Sequence, residues 1–250
     1  MASLAPGNCC AKGFKHTGEA TGKYITLDGI EYYVTGDESL ASTKFHLMFS
    51  DIIGHRLINA QLLADEYAKT GYFVVIPDLF SGDPALLNPP EGYDVFRDWS
   101  PKHVPEITQP IVDQIVKTVE HKWKPTFVVA TGFCFGAKYA VRLLATDFVN
   151  VAAIFHPSLV TIDEIRSIKG ALYIGASEDD YMLTAPLRRQ TEDVLLEIKA
   201  KYRLTLNFGV EHGFAIRGDI SKPWVKYAKE RVFGDAVDWF NAVYEIEYKK

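Results

Sequence analysis

The chain has little cysteine, no surplus of positive charge and no long apolar run, and each shortage removes a class of protein. Three cysteines, Cys9, Cys10 and Cys134, are too few and too odd a number for a disulfide framework, which fits a reducing compartment. Lysine and arginine total 27 against 32 aspartates and glutamates, a formal charge of −5, so the electrostatic footprint of a nucleic-acid binder is missing. No apolar stretch approaches the roughly 18 residues that a membrane-spanning helix needs. The N-terminal segment carries Gly7, Lys12, Gly13, Lys15 and Gly18 where a secretory signal would have an apolar core. Repeats and low-complexity tracts are also missing. These absences lead us to expect a cytoplasmic protein, monomer or homodimer, with neither nucleic acid nor membrane as partner.

What is present suits a large buried core: 48% of the 250 residues are hydrophobic, and we read residues 1–250 as a single domain. Compact apolar runs of strand length recur at Phe45–Phe49, Tyr72–Ile76, Phe127–Ala130, Val151–Phe155, Ala171–Ile174 and Leu204–Phe208. Before them, Tyr24–Leu27 and Glu31–Val34 flank Asp28-Gly29, a two-residue hairpin signal that predicts an antiparallel edge. Helical periodicity lies between the runs. Leu57, Ile58, Leu62, Leu63 and Tyr67 share one face, with Gly71 as a stop. Ile107, Ile111, Ile115 and Val119 repeat after Pro105, and Thr184 precedes a third helix as a cap. From about residue 222 to 246 the pattern is again helical, with Gly234 expected to divide or kink it. Alternating strands and helices predict a mainly parallel open sheet of about eight strands with helices on both faces. The proline-bearing stretch from Leu79 to Val104 is long for a loop and is expected to cover part of a site.

One motif carries chemistry. The strand ending Ala130-Thr131 runs into Gly132-Phe133-Cys134-Phe135-Gly136, and a helical pattern starts at Ala137. A strand–turn–helix with glycines two residues to either side of a central nucleophile is the nucleophile-elbow pattern, here with cysteine at its apex. That position, near a helix N-terminus, favours thiolate over thiol and puts the Phe135 N–H where an oxyanion would form. A buried packing cysteine is the competing reading.

A thiolate nucleophile calls for an imidazole, and the imidazole for an acid that fixes its tautomer. His212, in Val210-Glu211-His212-Gly213-Phe214, follows a strand and so sits at the sheet edge where open α/β sheets build sites. His55 and His156 also follow strand ends and are lesser candidates, His46 falls within a strand, and His16, His103 and His121 read as surface groups. Gly175-Ala176-Ser177-Glu178-Asp179-Asp180 supplies the acid, and the chain order nucleophile, acid, histidine selects Asp179 with Asp180 as alternate. Cys9 and Cys10 are adjacent thiols without a histidine nearby in sequence, a weak metal site, so no metal or cofactor is expected.

Taken together, the elbow, Tyr72-Phe73-Val74-Val75-Ile76-Pro77-Asp78, Ser177-Glu178-Asp179 and His212-Gly213-Phe214-Ala215 resemble the dienelactone hydrolase family. Pro6-Gly7-Asn8-Cys9-Cys10 and Val225-Lys226-Tyr227-Ala228-Lys229-Glu230 point to its fungal members. The resemblance implies an α/β-hydrolase fold and a triad of Cys134, Asp179 and His212. It also implies a second oxyanion donor in the Ile52 N–H, and Asp51 where bacterial members carry a glutamate that switches the cysteine to thiolate. Aspartate is one methylene shorter, which puts the switch in doubt. The bacterial arginine that holds a substrate carboxylate corresponds to Arg217, one position later than usual, with Arg97 as a second candidate. The expected activity is hydrolysis of a small lactone or activated ester through a thioester acyl-enzyme. The rivals are acyl-thioester hydrolysis or transfer in secondary metabolism, and a non-catalytic small-molecule binder or redox-sensing thiol protein.

Overall fold

Parallel strands flanked by helices bury both faces, so their sequences read as unbroken apolar runs, and four strands here are buried at every position. The computed structural model describes residues 1–249. Its elements in chain order are β1 (Lys23–Leu27), β2 (Ile30–Thr35), β3 (Phe45–Phe49), α1 (Ile58–Lys69), β4 (Phe73–Pro77), α2 (Pro105–Lys122), β5 (Val128–Phe133) and α3 (Phe135–Leu144). There follow β6 (Val151–Phe155), α4 (Ile162–Arg166), β7 (Ala171–Asp179), α5 (Ala185–Glu197), β8 (Tyr202–Glu211), α6 (Phe214–Arg217) and α7 (Pro223–Val243). The eight strands form one sheet in the order β1-β2-β4-β3-β5-β6-β7-β8. β1, β2 and β4 pair antiparallel and the remainder parallel, as the sequence pattern predicts. Asp28 and Gly29, with φ of 50° and 79°, make the mirror-image turn that the β1–β2 twist prefers.

The strand order reverses at β3: the chain passes from β3 outward to β4, then returns to place β5 on the other side of β3. The crossovers leaving β3 and β5 therefore diverge, opening a crevice at their carboxyl ends. Into this edge the chain feeds Asp51 and Ile52 after β3, Cys134 after β5, Asp180 after β7 and His212 after β8.

Two expectations fail. Gly234 does not divide the helix: α7 runs unbroken from Pro223 to Val243, since burial of Ala228, Val232, Ala236 and Phe240 outweighs the roughly 1 kcal/mol that one helical glycine costs. His103 is not a surface group. The stretch after Leu79 folds back so that His103 stacks on Trp99 at 4.4 Å and bonds Asp83 at 3.1 Å. Trp99 in turn packs on Phe80 and Phe135, which seats this stretch against the start of α3.

An N-terminal arm, which no periodicity announces, crosses the carboxyl edge of the sheet. Ala2 and Ser3 donate to the Val160 carbonyl, Leu4 to that of Met182, and Phe14 to that of Arg217. Between these anchors Asn8–Ala11 forms a single helical turn, held by Asn8 to Asp94 and to the Val95 N–H.

Candidate active site

Glycines are needed around Cys134 because two backbones approach too closely for a side chain. A Cβ on Gly132 would lie 2.5 Å from the Ala137 Cα, and one on Gly136 would lie 2.5 Å from the carbonyl oxygens of Phe49 and Ser50. Cys134 itself is forced to φ 50°, ψ −110°, a strained region for a side-chain-bearing residue and the mark of a sharp elbow. Its N–H bonds the Phe155 carbonyl, its carbonyl accepts from Ser158 N–H, and its sulfur lies 3.5 Å from the Ser158 hydroxyl.

His212 reaches this sulfur from beyond β8. The Sγ atoms of Cys134 and Cys10 and a ring nitrogen of His212 all lie within 4.8 Å of one another. The carboxylate that meets the imidazole is one residue later than the leading expectation. Asp180, not Asp179, accepts from His212 Nδ1 at 2.9 Å, with both side chains almost fully buried. Asp180 is fixed by the Met182 and Leu183 N–H groups at 2.7 and 3.0 Å and by the Ser177 hydroxyl at 2.9 Å. Asp179 still belongs to β7, opposite Glu211 of β8, and its carboxylate is exposed. The register irregularity between Ser177 and Asp179 decides which of the adjacent acids turns inward.

The charges form a linked set. Burial opposes ionisation of Cys134, yet hydrogen bonding from Cys10 and the His212 charge outweigh it and hold the thiol well below its ordinary value. Burial likewise opposes the charged form of His212, but the Cys134 sulfur and the Asp180 carboxylate lift the ring to about 10. Asp180 is lowered in spite of its burial, through the His212 charge and its hydrogen bonds. The arrangement is that of a thiolate–imidazolium pair steadied by a carboxylate.

Asp51 and Arg217, assigned to separate tasks by the sequence, are bonded to each other. Arg217 Nη1 donates to Asp51 Oδ2 at 2.5 Å in a pair with side chains no more than 1% exposed. Asp51 Oδ1 accepts from the Ile53 N–H, so both oxygens of this carboxylate are engaged. Arg217 also donates from Nε to the Lys12 carbonyl at 2.9 Å, leaving Nη2 buried without a partner. Gly13 and Gly213 flank this side chain, where a Cβ would lie under 3 Å from it. Arg97 is not brought to the site. Its side chain is about two-thirds exposed and pairs with Asp98 at 2.7 Å. Ile52 is fully buried in the turn after β3, and Phe135 is the first residue of α3, where backbone N–H groups lack intrahelical partners.

Sequence reasoning missed two neighbours, Cys10 and Ser158. Cys10 Sγ lies 3.4 Å from His212 Nε2, a contact spanning 202 positions of chain. Ser158 follows β6, and its pairing with the sulfur leaves no local pattern. His156, a lesser candidate, packs against His212 with ring centroids 4.9 Å apart, whereas His55 pairs with Glu31 at 2.7 Å. Burial, followed by the charges of His212 and Arg217, holds His156 neutral. A cavity of about 240 Å³ opens on Cys9, Phe14, Tyr181, His212 and Arg217. Cys134 lies fully buried behind it.

Three comparisons bear on this geometry. The dienelactone hydrolase family model matches residues 30–244. The hydrolase tropI of Talaromyces stipitatus is 38% identical over 248 residues, 96% of this chain and 98% of its own length. The hydrolase pyvD of Aspergillus violaceofuscus is 35% identical over 241 residues, with 96% and 98% covered. Among solved structures, a putative dienelactone hydrolase from Klebsiella pneumoniae superposes with a TM-score of 0.73 at 15% identity, over 89% of this chain and 98% of that one.

Proposed function

This chain belongs to the dienelactone hydrolase family and is a carboxylic ester hydrolase, and on that footing we propose that Cys134, His212 and Asp180 hydrolyse a lactone or activated ester through a thioester. The observation that carries the reading is a cysteine at φ 50° on the elbow, with His212 in reach and Asp180 2.9 Å from the far ring nitrogen. The Cys134 thiolate adds to the substrate carbonyl carbon, and the carbonyl electron pair moves to oxygen, where the Ile52 and Phe135 N–H groups receive it. Collapse breaks the bond to the leaving oxygen, which takes a proton from His212 Nε2. Water then loses a proton to Nε2 as it attacks the thioester, and the thiolate departs. Asp180 keeps the ring oriented and balances its charge throughout.

A thiolate is itself expelled easily, so the scheme favours substrates whose leaving oxygen is a stabilised anion and disfavours amides. Cys134 is fully buried, with Cys10 of the Asn8–Ala11 turn within 4.8 Å of its sulfur. The test is reaction with an activated aryl ester. A burst of leaving group and one acyl group on the peptide carrying Cys134 are expected. Cys134→Ala should abolish both with unchanged circular dichroism, and sustained turnover in that variant would overturn the proposal.

A further inference from the structure

Cys10 takes part in no bond-making or bond-breaking step of the hydrolytic scheme, yet it is a buried thiol delivered to Cys134 and His212. We propose that Cys10, Cys134 and His212 form a binding site for a thiophilic divalent cation of filled d shell, with Zn²⁺ as the fitting ion. The inference goes beyond the hydrolytic reading and does not rest on it.

Ligand type, spacing and surroundings all fit. Two sulfurs and an imidazole are the donors that a tetrahedral Zn²⁺ site prefers, with metal–sulfur bonds near 2.3 Å and metal–nitrogen bonds near 2.0–2.1 Å. Tetrahedral angles then put sulfur about 3.6 Å from nitrogen and the two sulfurs about 3.8 Å apart. Cys10 Sγ already lies 3.4 Å from His212 Nε2, and no pair of the three ligand atoms exceeds 4.8 Å. A closing movement of about 1 Å completes three corners of the tetrahedron. Asp180 holds Nδ1–H, so Nε2 becomes the ligand atom once it gives up its proton, and the carboxylate supplies the carboxylate–histidine–metal relay that orients such ligands.

Charge balances as well. Binding forms two metal–sulfur bonds and one metal–nitrogen bond, and the His212 Nε2 proton and that of each thiol still protonated are released to solvent. Two thiolates neutralise the ion, while Asp51 and Arg217 behind them already cancel each other. The fourth corner is left for water. Cys9 and His212 both line the open cavity, which gives the ion a route in. The tethering of the Asn8–Ala11 turn through Asn8 keeps Cys10 in place ahead of binding. The bound ion would engage nucleophile and base together.

The test is titration of the full chain, reduced with a phosphine and freed of metal, with Co²⁺ and then with Zn²⁺. One Co²⁺ per chain is expected, with near-ultraviolet thiolate charge transfer and the intense d–d bands of a four-coordinate ion, bleached by stoichiometric Zn²⁺. Losing an outer-shell partner of a metal site commonly weakens binding 10–100-fold, so Cys10→Ser and Cys134→Ser, each removing a ligand, should weaken it by at least about 100-fold. Each should also lose about half of the charge-transfer intensity, and Cys9→Ser should retain both signals. Absence of charge transfer in the parent chain would overturn the proposal, as would an undiminished signal in Cys134→Ser, which would assign the ion to the vicinal pair Cys9 and Cys10. Binding is read without substrate, so a failure here and a failure of the hydrolytic scheme are separable.

Discussion

Asp180→Asn isolates the charge of the proposed triad acid from its geometry. The asparagine oxygen can occupy the place of Oδ1, which receives His212 Nδ1 and the Met182 and Leu183 N–H groups, while its amide donates to the Ser177 hydroxyl oxygen. Folding and ring orientation should therefore survive, and what disappears is the attraction between carboxylate and imidazolium. With charge centres about 4 Å apart and an effective dielectric constant of about 20, that attraction is about 4 kcal/mol. At about 1.4 kcal/mol per decade, kcat/KM on an activated ester should fall about 10³-fold. The exposed Asp179 makes no such contact, and Asp179→Asn should stay within about twofold of the parent. A second readout is stability against pH. His212 is raised from 6.5 to about 10, so its contribution is complete below the lower value and lost as pH rises through the upper one. Asp180→Asn should move that loss to lower pH. If Asp179→Asn is the crippled variant, or if Asp180→Asn keeps a tenth of the activity, the assignment of the acid is wrong.

Further outcomes follow from other contacts. Asp51→Asn strands a guanidinium that is about 1% exposed, and denaturant unfolding should register a loss of about 3–5 kcal/mol, largely restored when Arg217→Met is added. Gly234→Ala should raise the melting temperature by roughly 1–4 °C, because nothing lies within 4 Å of the added methyl in an unbroken helix. Gly136→Ala should do the reverse and abolish turnover, since its methyl would meet two carbonyl oxygens at 2.5 Å. Cys9, lowered to about 6 by the Cys10 hydrogen bond against opposing burial, faces the cavity. Iodoacetamide at neutral pH should therefore label it before Cys10, which peptide mass mapping reads directly.

Strand and helix identities were legible because they depend on short-range pattern. Apolar runs marked the strands that the sheet buries on both faces, Asp28-Gly29 marked the hairpin, and the spacing of Gly132 and Gly136 marked the elbow. Position relative to a strand end narrowed seven histidines to His55, His156 and His212. Local pattern misled where a single residue was weighed without its packing, as at Gly234 in α7 and at His103 behind Trp99.

Tertiary structure alone decided which of two adjacent carboxylates faces the imidazole. Neighbouring residues at a strand end point in different directions, and the irregularity after Ser177 sets which one turns inward. It also joined Asp51 to Arg217 across 166 positions and set Cys10 beside His212 across 202. Such contacts depend on where the arm and the loops cross the sheet edge, a consequence of packing summed over the whole chain. The amino-acid order therefore determined the scaffold and the elbow that carries Cys134, and three-dimensional packing determined the side chains that surround it.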